Sequence, residues 1–387
     1  MTIAHAASAS AFQQRNALDT SALFDPSRVY LELGTSQLVD GNVHVRDAIG
    51  RDQGGRDVAS GRRSADYSEA HGMPFFTLKL KPNEASDCML DSRMAVNVDN
   101  DPPDDWIGRY HLQRLRLKVR QDSLTCSYGF KVGGGKLRLI GGYLRDVADL
   151  DKNSLVARPG LPPGVRGAIQ ANDTTHAWRW GVSYEKPELG LRAVLQYQDR
   201  VPLALQGTQF IYTADGRPLA GGAARIDAAL PKTWQLDLQS GIKPGWVAMF
   251  SASWQQWSEL QNLPVKSALG NGLGLYFRDS WTFTGGVGHA FSPALSMMLS
   301  LSYMQGASDR ANTRYGHPTL PYSDNWTLGL SGKYKLDTHV ALKAGVYATR
   351  LSGAYFIDGG PSINSFEGGR YDSSWLYTVG GSVAVGF

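Results

Sequence analysis

Trp375-Leu376-Tyr377-Thr378-Val379-Gly380-Gly381-Ser382-Val383-Ala384-Val385-Gly386-Phe387 decides the fold. Every odd position except Gly381 is large and apolar, and most even positions are small or polar. A period of two describes a strand with one oily face and one wetter face. Strands of soluble sheets average about 5–6 residues, whereas a strand that crosses a bilayer within a barrel needs about 9–11. This stretch is long enough to cross, and it closes on an aromatic residue.

The same alternation recurs toward the N-terminus. Val29-Leu31-Leu33 and Phe76-Leu78-Leu80 come first, then Leu90, Met94, Val96 and Val98. Leu115-Leu117-Val119 opposes Arg114-Arg116-Lys118, and the pattern resumes one residue out of phase as Leu124-Cys126-Tyr128-Phe130. Such a slip predicts a β-bulge in one long strand. Further segments include Trp178-Trp180-Val182-Tyr184, Trp246-Ala248-Phe250-Ala252-Trp254 and Leu295-Met297-Leu299-Leu301-Tyr303. The count reaches fourteen, an even number as bacterial single-chain barrels require.

The spacers carry a second signal. Short ones (82–85, 133–135, 187–189, 243–244, 292–294, 337–338) alternate with long ones (40–72, 100–108, 150–175, 201–225, 261–277, 306–323, 352–372). Short periplasmic turns facing longer external loops are the asymmetry of outer-membrane barrels. Trp178, Trp254, Trp281, Trp326 and Trp375 fall at strand ends, where an interfacial girdle belongs.

Composition agrees. The 387 residues hold 10 Trp, 17 Tyr and 44 Gly at a mean hydropathy of -0.28. No run approaches the roughly 18 uncharged apolar residues of a membrane helix. A net charge of +4 is too balanced to indicate a nucleic-acid partner. The two cysteines, Cys88 and Cys126, make no disulfide framework. Both fall on lipid-facing phases of neighbouring strands and read as small hydrophobes. An oxidised pair stays open, since the register is not readable. There is no H-E-x-x-H or G-x-S-x-G, so no enzyme activity, cofactor or metal is expected. Gly133-Gly134-Gly135-Lys136 lacks phosphate-loop spacing and reads as a turn. The acidic run 99–105 reads as a solvated loop, with calcium bridging to lipopolysaccharide as the alternative. Met1-Thr2-Ile3-Ala4-His5-Ala6-Ala7-Ser8-Ala9 has A-x-A-like steps and is read as the tail of a signal peptide.

Several motifs resemble one family. Leu230-Pro231-Lys232-Thr233-Trp234, then Trp246 and Trp254-Gln255-Gln256-Trp257-Ser258-Glu259-Leu260, look like the long-chain fatty-acid transporter family of the FadL/TodX type. Asp104-Asp105-Trp106-Ile107-Gly108-Arg109-Tyr110 resembles its second external loop entering strand four. Asp279-Ser280-Trp281 and Asp324-Asn325-Trp326 resemble later strand starts, and Asn16-Ala17-Leu18…Phe24-Asp25-Pro26 resembles the plug running into strand one. The resemblance implies a fourteen-stranded barrel with an N-terminal plug. Ligands would land between external loops 3 and 4, pass to an interior pocket, and leave sideways at a kinked third strand. Two departures stand out. The plug is shortened, with only about twenty-six residues before strand one. Asp91 and Arg93 occupy strand three, where small residues are expected beside the gap. With Asn16 they are the expected gating residues.

The third long spacer offers Leu155, Leu161 and Val165, and the fourth Leu203, Leu205 and Phe210. Loops this apolar must form a greasy groove or pack on each other as a lid. Lumen-facing cations are expected to include Arg93, Arg114, Arg116, Lys118, Arg138, Arg179, Arg192, Lys333 and Lys343. Most would be solvated or paired with Glu32, Asp91 and Asp237. Arg138 and Lys333 lie mid-strand among small or apolar neighbours and are the preferred anchors for a ligand carboxylate.

The expectation is an all-β transmembrane antiparallel barrel of about 14 strands. Residues 1–26 form a signal-peptide remnant and short plug, and 27–387 the barrel. The function expected is passive uptake of hydrophobic compounds, fatty acids or related hydrocarbons, by a monomer in the Gram-negative outer membrane among lipid and lipopolysaccharide. A general polar-solute porin and an adhesin or structural barrel are the alternatives.

Overall fold

The computed structural model describes residues 18–40, 45–50, 57–58, 60–63, 72–157, 160–274, 277–307, 323–356 and 366–387. Fourteen staves close into one antiparallel ring. They are β1 (Val29–Asp40), β2 (Gly72–Leu80), β3 (Ser86–Asn100), β4 (Arg114–Val132), β5 (Gly135–Leu155), β6 (Arg166–Lys186), β7 in two pieces (Leu191–Gln198 and Val201–Tyr212) and β8 in two pieces (Pro218–Leu230 and Thr233–Lys243). The rest are β9 (Trp246–Gln255), β10 (Ser280–Ala290), β11 (Leu295–Met304), β12 (Asn325–Lys335), β13 (Val340–Leu351) and β14 (Ser374–Gly386). The opening stretch is therefore β14, and it does alternate: Trp375, Tyr377, Val379 and Val383 are exposed, while Leu376, Thr378 and Ala384 are buried.

β1 closes the ring by pairing on both edges, Leu31 with Leu78 of β2 and with Val385 of β14. The Arg28 and Val29 N–H groups donate to Phe387 O at 2.6 and 3.1 Å. Closure matters because hydrocarbon offers no partner to an unpaired backbone group. Every stave presents exposed apolar side chains outward, among them Leu33, Leu90, Leu139, Leu195, Leu299 and Val379. A registered aromatic row, Trp281–Trp254–Trp234–Tyr197–Trp180, runs across β10, β9, β8, β7 and β6 and marks one interface. The short connections lie at the Phe387 end. One is a two-residue turn at Gly133 and Gly134, with φ of 56° and 76°, a conformation that favours glycine and suits a tight hairpin. This agrees with the turn reading of that glycine run.

The far end differs from the sequence expectation in two ways. The apolar spacers 150–175 and 201–225 are not loops. β5 and β6 pair without interruption from Lys136–Glu185 to Leu155–Arg166. The outer piece of β7 pairs both with β6 (Ala168 with Phe210) and with the outer piece of β8 (Ile226 with Leu205). A two-stranded hairpin, Asn262–Ser267 with Asn271–Gly274, joins this wall through Ile226 and Val265. Leu155, Leu203, Leu205 and Phe210 belong to a sheet that rises beyond the membrane, where alternation continues but one face is wet, while Leu161 and Val165 lie in the 156–165 connection. Pro231, with no N–H to give a ladder, lies at the break in β8.

Second, the phase slip expected near Gln121 and Asp122 is not a bulge in β4, which pairs with β5 continuously from Arg114–Asn153 to Val132–Gly135. The apolar residues change faces instead. Leu115, Leu117 and Val119 point inward above the membrane, and Leu124, Tyr128 and Phe130 point outward within it. Arg114, Arg116 and Lys118 therefore project outside, not into the lumen. The bulge lies one strand earlier, in β3 at Ala95, between Met94 and Val96. Cys88 and Cys126 face each other across β3 and β4 and form a disulfide.

Candidate functional site

The lumen has two layers. In the outer half, Val96, Val98, Val119, Leu144, Ala148, Ala171, Leu203, Leu205 and Ile226 converge from β3 to β8, with Trp257, Leu260 and Phe277 added from the β9–β10 connection. Leu115, Leu117, Leu150 and Ile169 pack against this cluster from above. Inward apolar residues are unusual for a channel wall, because a barrel's lipid face already uses the apolar phase.

Below it the lining turns polar: Gln121, Ser123, Thr125 and Ser127 of β4, Asp146 of β5, Arg179 of β6, Gln196 and Gln198 of β7, Gln235 of β8. The chain before β1 runs into this layer. The Leu18 N–H donates to Gln235 Oε1 at 3.0 Å, Gln196 Nε2 donates to Leu18 O at 3.1 Å, and Thr20 Oγ1 donates to Gln196 Oε1 at 3.1 Å. Ser21–Phe24 forms a 3-10 turn whose Ala22 and Leu23 pack with Met89, Ile140 and Val194. Phe24 lies under the Arg192 guanidinium, 4.3 Å from the ring centroid. Lys79 Nζ donates to Asp25 O at 2.8 Å.

The preferred anchors separate. Arg138 is held by Asp87 and by Glu185, the latter at 3.0 Å, and Glu185 also takes Arg192 at 3.0 Å. Its guanidinium is spent on two carboxylates. Lys333 faces inward opposite Lys343, and Lys343 pairs with Glu32 at 2.8 Å and with the Tyr30 hydroxyl at 2.9 Å. Asp91 and Arg93 are paired with each other, Arg93 Nε lying 2.8 Å from Asp91 Oδ2, and Arg93 lies 3.8 Å from Asp19. Asn16 lies outside the described residues.

Of the six apolar loop residues, Leu203 and Leu205 point into the outer-half cluster. Val165 is fully buried, and its carbonyl accepts the Val156 N–H at 2.8 Å. Leu161 is partly exposed beside it, and the Leu155 N–H donates to Arg109 O at 2.9 Å. Phe210 points outward. With Tyr212, Ala168, Gln170, Arg114, Arg166, Asp101 and Asp104 it lines an external cleft of about 490 Å³ between the 156–165 and 213–217 connections. Elsewhere in the acidic run, Asp99 pairs with Arg116 at 3.0 Å and Asp105 with Arg62 at 2.9 Å.

β3 supplies the remaining feature. Its pairing with β2 stops at Arg93 opposite Phe75, while its pairing with β4 continues to Asn100. Beyond the Ala95 bulge Asn97 Nδ2 donates to Gly72 O at 3.3 Å across the β2 edge of β3. Among the described residues the β2–β3 ladder thus ends in a seam at the height of the apolar cluster.

Residues 22–348 match the model of a family of outer membrane transport proteins (OMPP1/FadL/TodX). The chain belongs to this family. Curated relatives are the long-chain fatty acid transport proteins of Salmonella typhi, 25% identical over 199 residues (41% of this chain, 44% of the relative), and of Escherichia coli K12, 24% identical over 165 residues (35% and 36%). The chain thus spans less than half the length of the curated relatives it matches. Among solved structures, a Pseudomonas aeruginosa FadL homologue superposes with a TM-score of 0.78 at 15% identity, covering 98% of this chain and 94% of that one. The Pseudomonas putida toluene transporter TodX gives 0.66 at 14% identity, with the same coverage. The family and the closed barrel place the protein in the Gram-negative outer membrane.

Two inward cations of this family member stand out: Arg179, expected in the lumen but not as a ligand contact, and Lys152, which escaped the sequence reading. Arg179 is buried, and its Nη2 donates only long hydrogen bonds, to Gln121 Oε1 at 3.3 Å and Gln198 Oε1 at 3.2 Å. Lys152 lies on β5 between Leu115 of β4 and Ile169 of β6. No ion-pair or hydrogen-bond partner reaches it among the described residues, and burial alone pushes its ammonium down to about 8. Both were visible in the alternation: Lys152 is in phase with inward Leu144, Ala148 and Leu150. Reading 150–175 as loop concealed it.

Proposed function

We propose that this barrel takes up hydrophobic compounds, long-chain fatty acids or related hydrocarbons, across the outer membrane without energy input. The observation that carries the reading is the apolar cluster filling the outer half of the lumen, with the external cleft outside it and the β2–β3 seam at its side. Burial of apolar surface, at roughly 25 cal/mol per Å², would draw a hydrocarbon chain from water into this layer. Phe210, Leu161 and Val165 would serve capture at the outer end, and Leu203 and Leu205 the interior path. Leu155 shares the outer rim with them.

The segment from Leu18 to Asp25 acts as a plug, which favours exit through the seam over passage straight down. Asp91 and Arg93 sit beside that seam, and their mutual pairing keeps either charge from facing a passing chain alone. Arg138 then serves to hold the plug, and Lys333 remains a candidate contact for an acidic headgroup. The molecule works as a monomer, since exposed apolar residues occur on every stave and leave no polar sector for a partner. Lipopolysaccharide would meet the outward charges of β4 and β5 above the aromatic row.

Reconstitution tests the reading. Purified protein in lipid vesicles should speed uptake of oleate or toluene and leave sugar entry at the lipid-only rate. Rapid sugar entry with no hydrophobic uptake would make the barrel a polar porin instead.

A further inference from the structure

Lys152 is an odd residue to find in its place. Strand alternation puts it on the lumen side, in one inward row with Asn100, Leu115, Ile169 and Gln209. The next row down is wholly apolar or small: Val98, Leu117, Leu150, Ala171 and Gly207. Of the carboxylates on its own strand, Asp149 and Asp151 project from the opposite face, where Asp151 pairs in register with Arg116, and Asp146 faces inward six residues further down. A partly buried ammonium with only amides and hydrocarbon around it is unfavourable, because its hydration is lost and nothing replaces it. Five other lumen cations show the usual remedy: Lys79, Arg93, Arg138, Arg192 and Lys343 each have a carboxylate within ion-pair distance, whereas Arg179 is held by Gln121 and Gln198 in the polar layer and Lys333 faces Lys343.

We propose that Lys152 is the specificity-determining residue at the mouth of the uptake path, where it receives the anionic head of an amphiphile whose alkyl chain enters the apolar rows beneath it. The inference rests on the uptake reading and deepens it, since it makes this chain select acidic over neutral hydrophobes. The geometry suits that division. The six residues of β6 from Ile169, beside Lys152, to Thr175, whose row holds Arg93, Gln121 and Asp146, span roughly 20 Å at about 3.3 Å per residue. The two inward rows between are apolar apart from Asp173, so a head held at Lys152 points its tail down the cluster toward the polar floor. A carboxylate would supply the missing counter-charge through a charge-assisted hydrogen bond, whereas a hydrocarbon would leave the ammonium bare.

The test compares oleate with oleyl alcohol, which share one alkyl chain, by equilibrium binding to the purified full chain in detergent. Wild type should prefer oleate. Lys152→Met should weaken oleate by about tenfold or more and leave the alcohol unchanged, as loss of one hydrogen bond to a charged group predicts. Lys152→Arg should keep the preference. The pH profile separates an electrostatic role from a packing role. No described neighbour facing Lys152 titrates, and Arg114, Arg116, Asp149, Asp151 and Arg166 lie on the outer face of the same strands. Oleate binding should therefore fall as pH rises past 8 in wild type, where the ammonium loses its proton, and stay level in Lys152→Arg. Equal binding of both probes by wild type and Lys152→Met, or equal loss of both, overturns the assignment while leaving the uptake reading intact. Failure of wild type to bind either probe overturns both.

Discussion

Lys79 and Asp87 meet inside the barrel with Nζ 3.0 Å from Oδ1, both side chains almost completely buried. Asp87 also holds Arg138, so one carboxylate serves two cations beside the plug. Asp87→Ala would leave both without this partner. Breaking a buried pair by removing one partner costs about 3–5 kcal/mol, and the urea midpoint of the refolded barrel should drop accordingly. Replacing the pair together, Lys79→Met with Asp87→Leu, should recover part of that loss. If the double variant is no more stable than the single one, the pair acts in some other way.

The disulfide links β3 and β4 across a sequence separation of 38 residues. Restricting the unfolded chain by a loop of this size contributes about 2–4 kcal/mol in the chain-entropy account. Cys88→Ser with Cys126→Ser should therefore unfold at lower urea than the oxidised wild type. Reduced, unfolded wild type should refold to the same lower midpoint.

Leu299 faces lipid at mid-stave, between Val287 and Leu330 on the neighbouring staves. Leu299→Arg should destabilise the barrel by about 2–4 kcal/mol, as a cation near the bilayer midplane does. Leu299→Ile should be almost silent. The comparison is read from equilibrium unfolding in vesicles, and near-equal midpoints would place Leu299 outside the hydrocarbon.

Deleting Ala95 removes the extra residue of the β3 bulge while keeping Met94 outward and Val96 inward. The variant should fold, regain a regular β2–β3 edge, and lose most hydrophobic uptake in vesicles. Uptake at the wild-type rate would exclude the seam as the exit.

The barrel was legible because its signal is periodic. Trp375 to Val385 alternate in the structure as they do in the sequence, and the short turns fall where the short spacers put them. Less legible was everything above the membrane. There the outer face meets water, so Arg114, Arg116 and Lys118 turn outward and Leu115 and Leu117 inward, inverting the polarity without altering the backbone. A reading that equates apolar with lipid-facing registers this as a bulge at Gln121 and misses the true one at Ala95, which changes face without any unusual residue. Arg138 looked free because its immediate neighbours, Ile140 and Gly142, are small or apolar. Its partners Asp87 and Glu185 come from other staves and could be seen only once the register was known.

The sulfur bridge between Cys88 and Cys126 lies on the lipid side, in a registered row with Leu80, Gly141 and Trp180. Thiol–disulfide exchange needs a thiolate and an approach path for it, and a pair on the lipid side beside the short turn after Leu80 can be approached only from that end. Once the wall is embedded, soluble reductants and oxidants reach the pair only from the side of the short turns. The bond is therefore a record of the chain's passage through an oxidising space, and it keeps reporting on the redox state of the compartment that the short turns face.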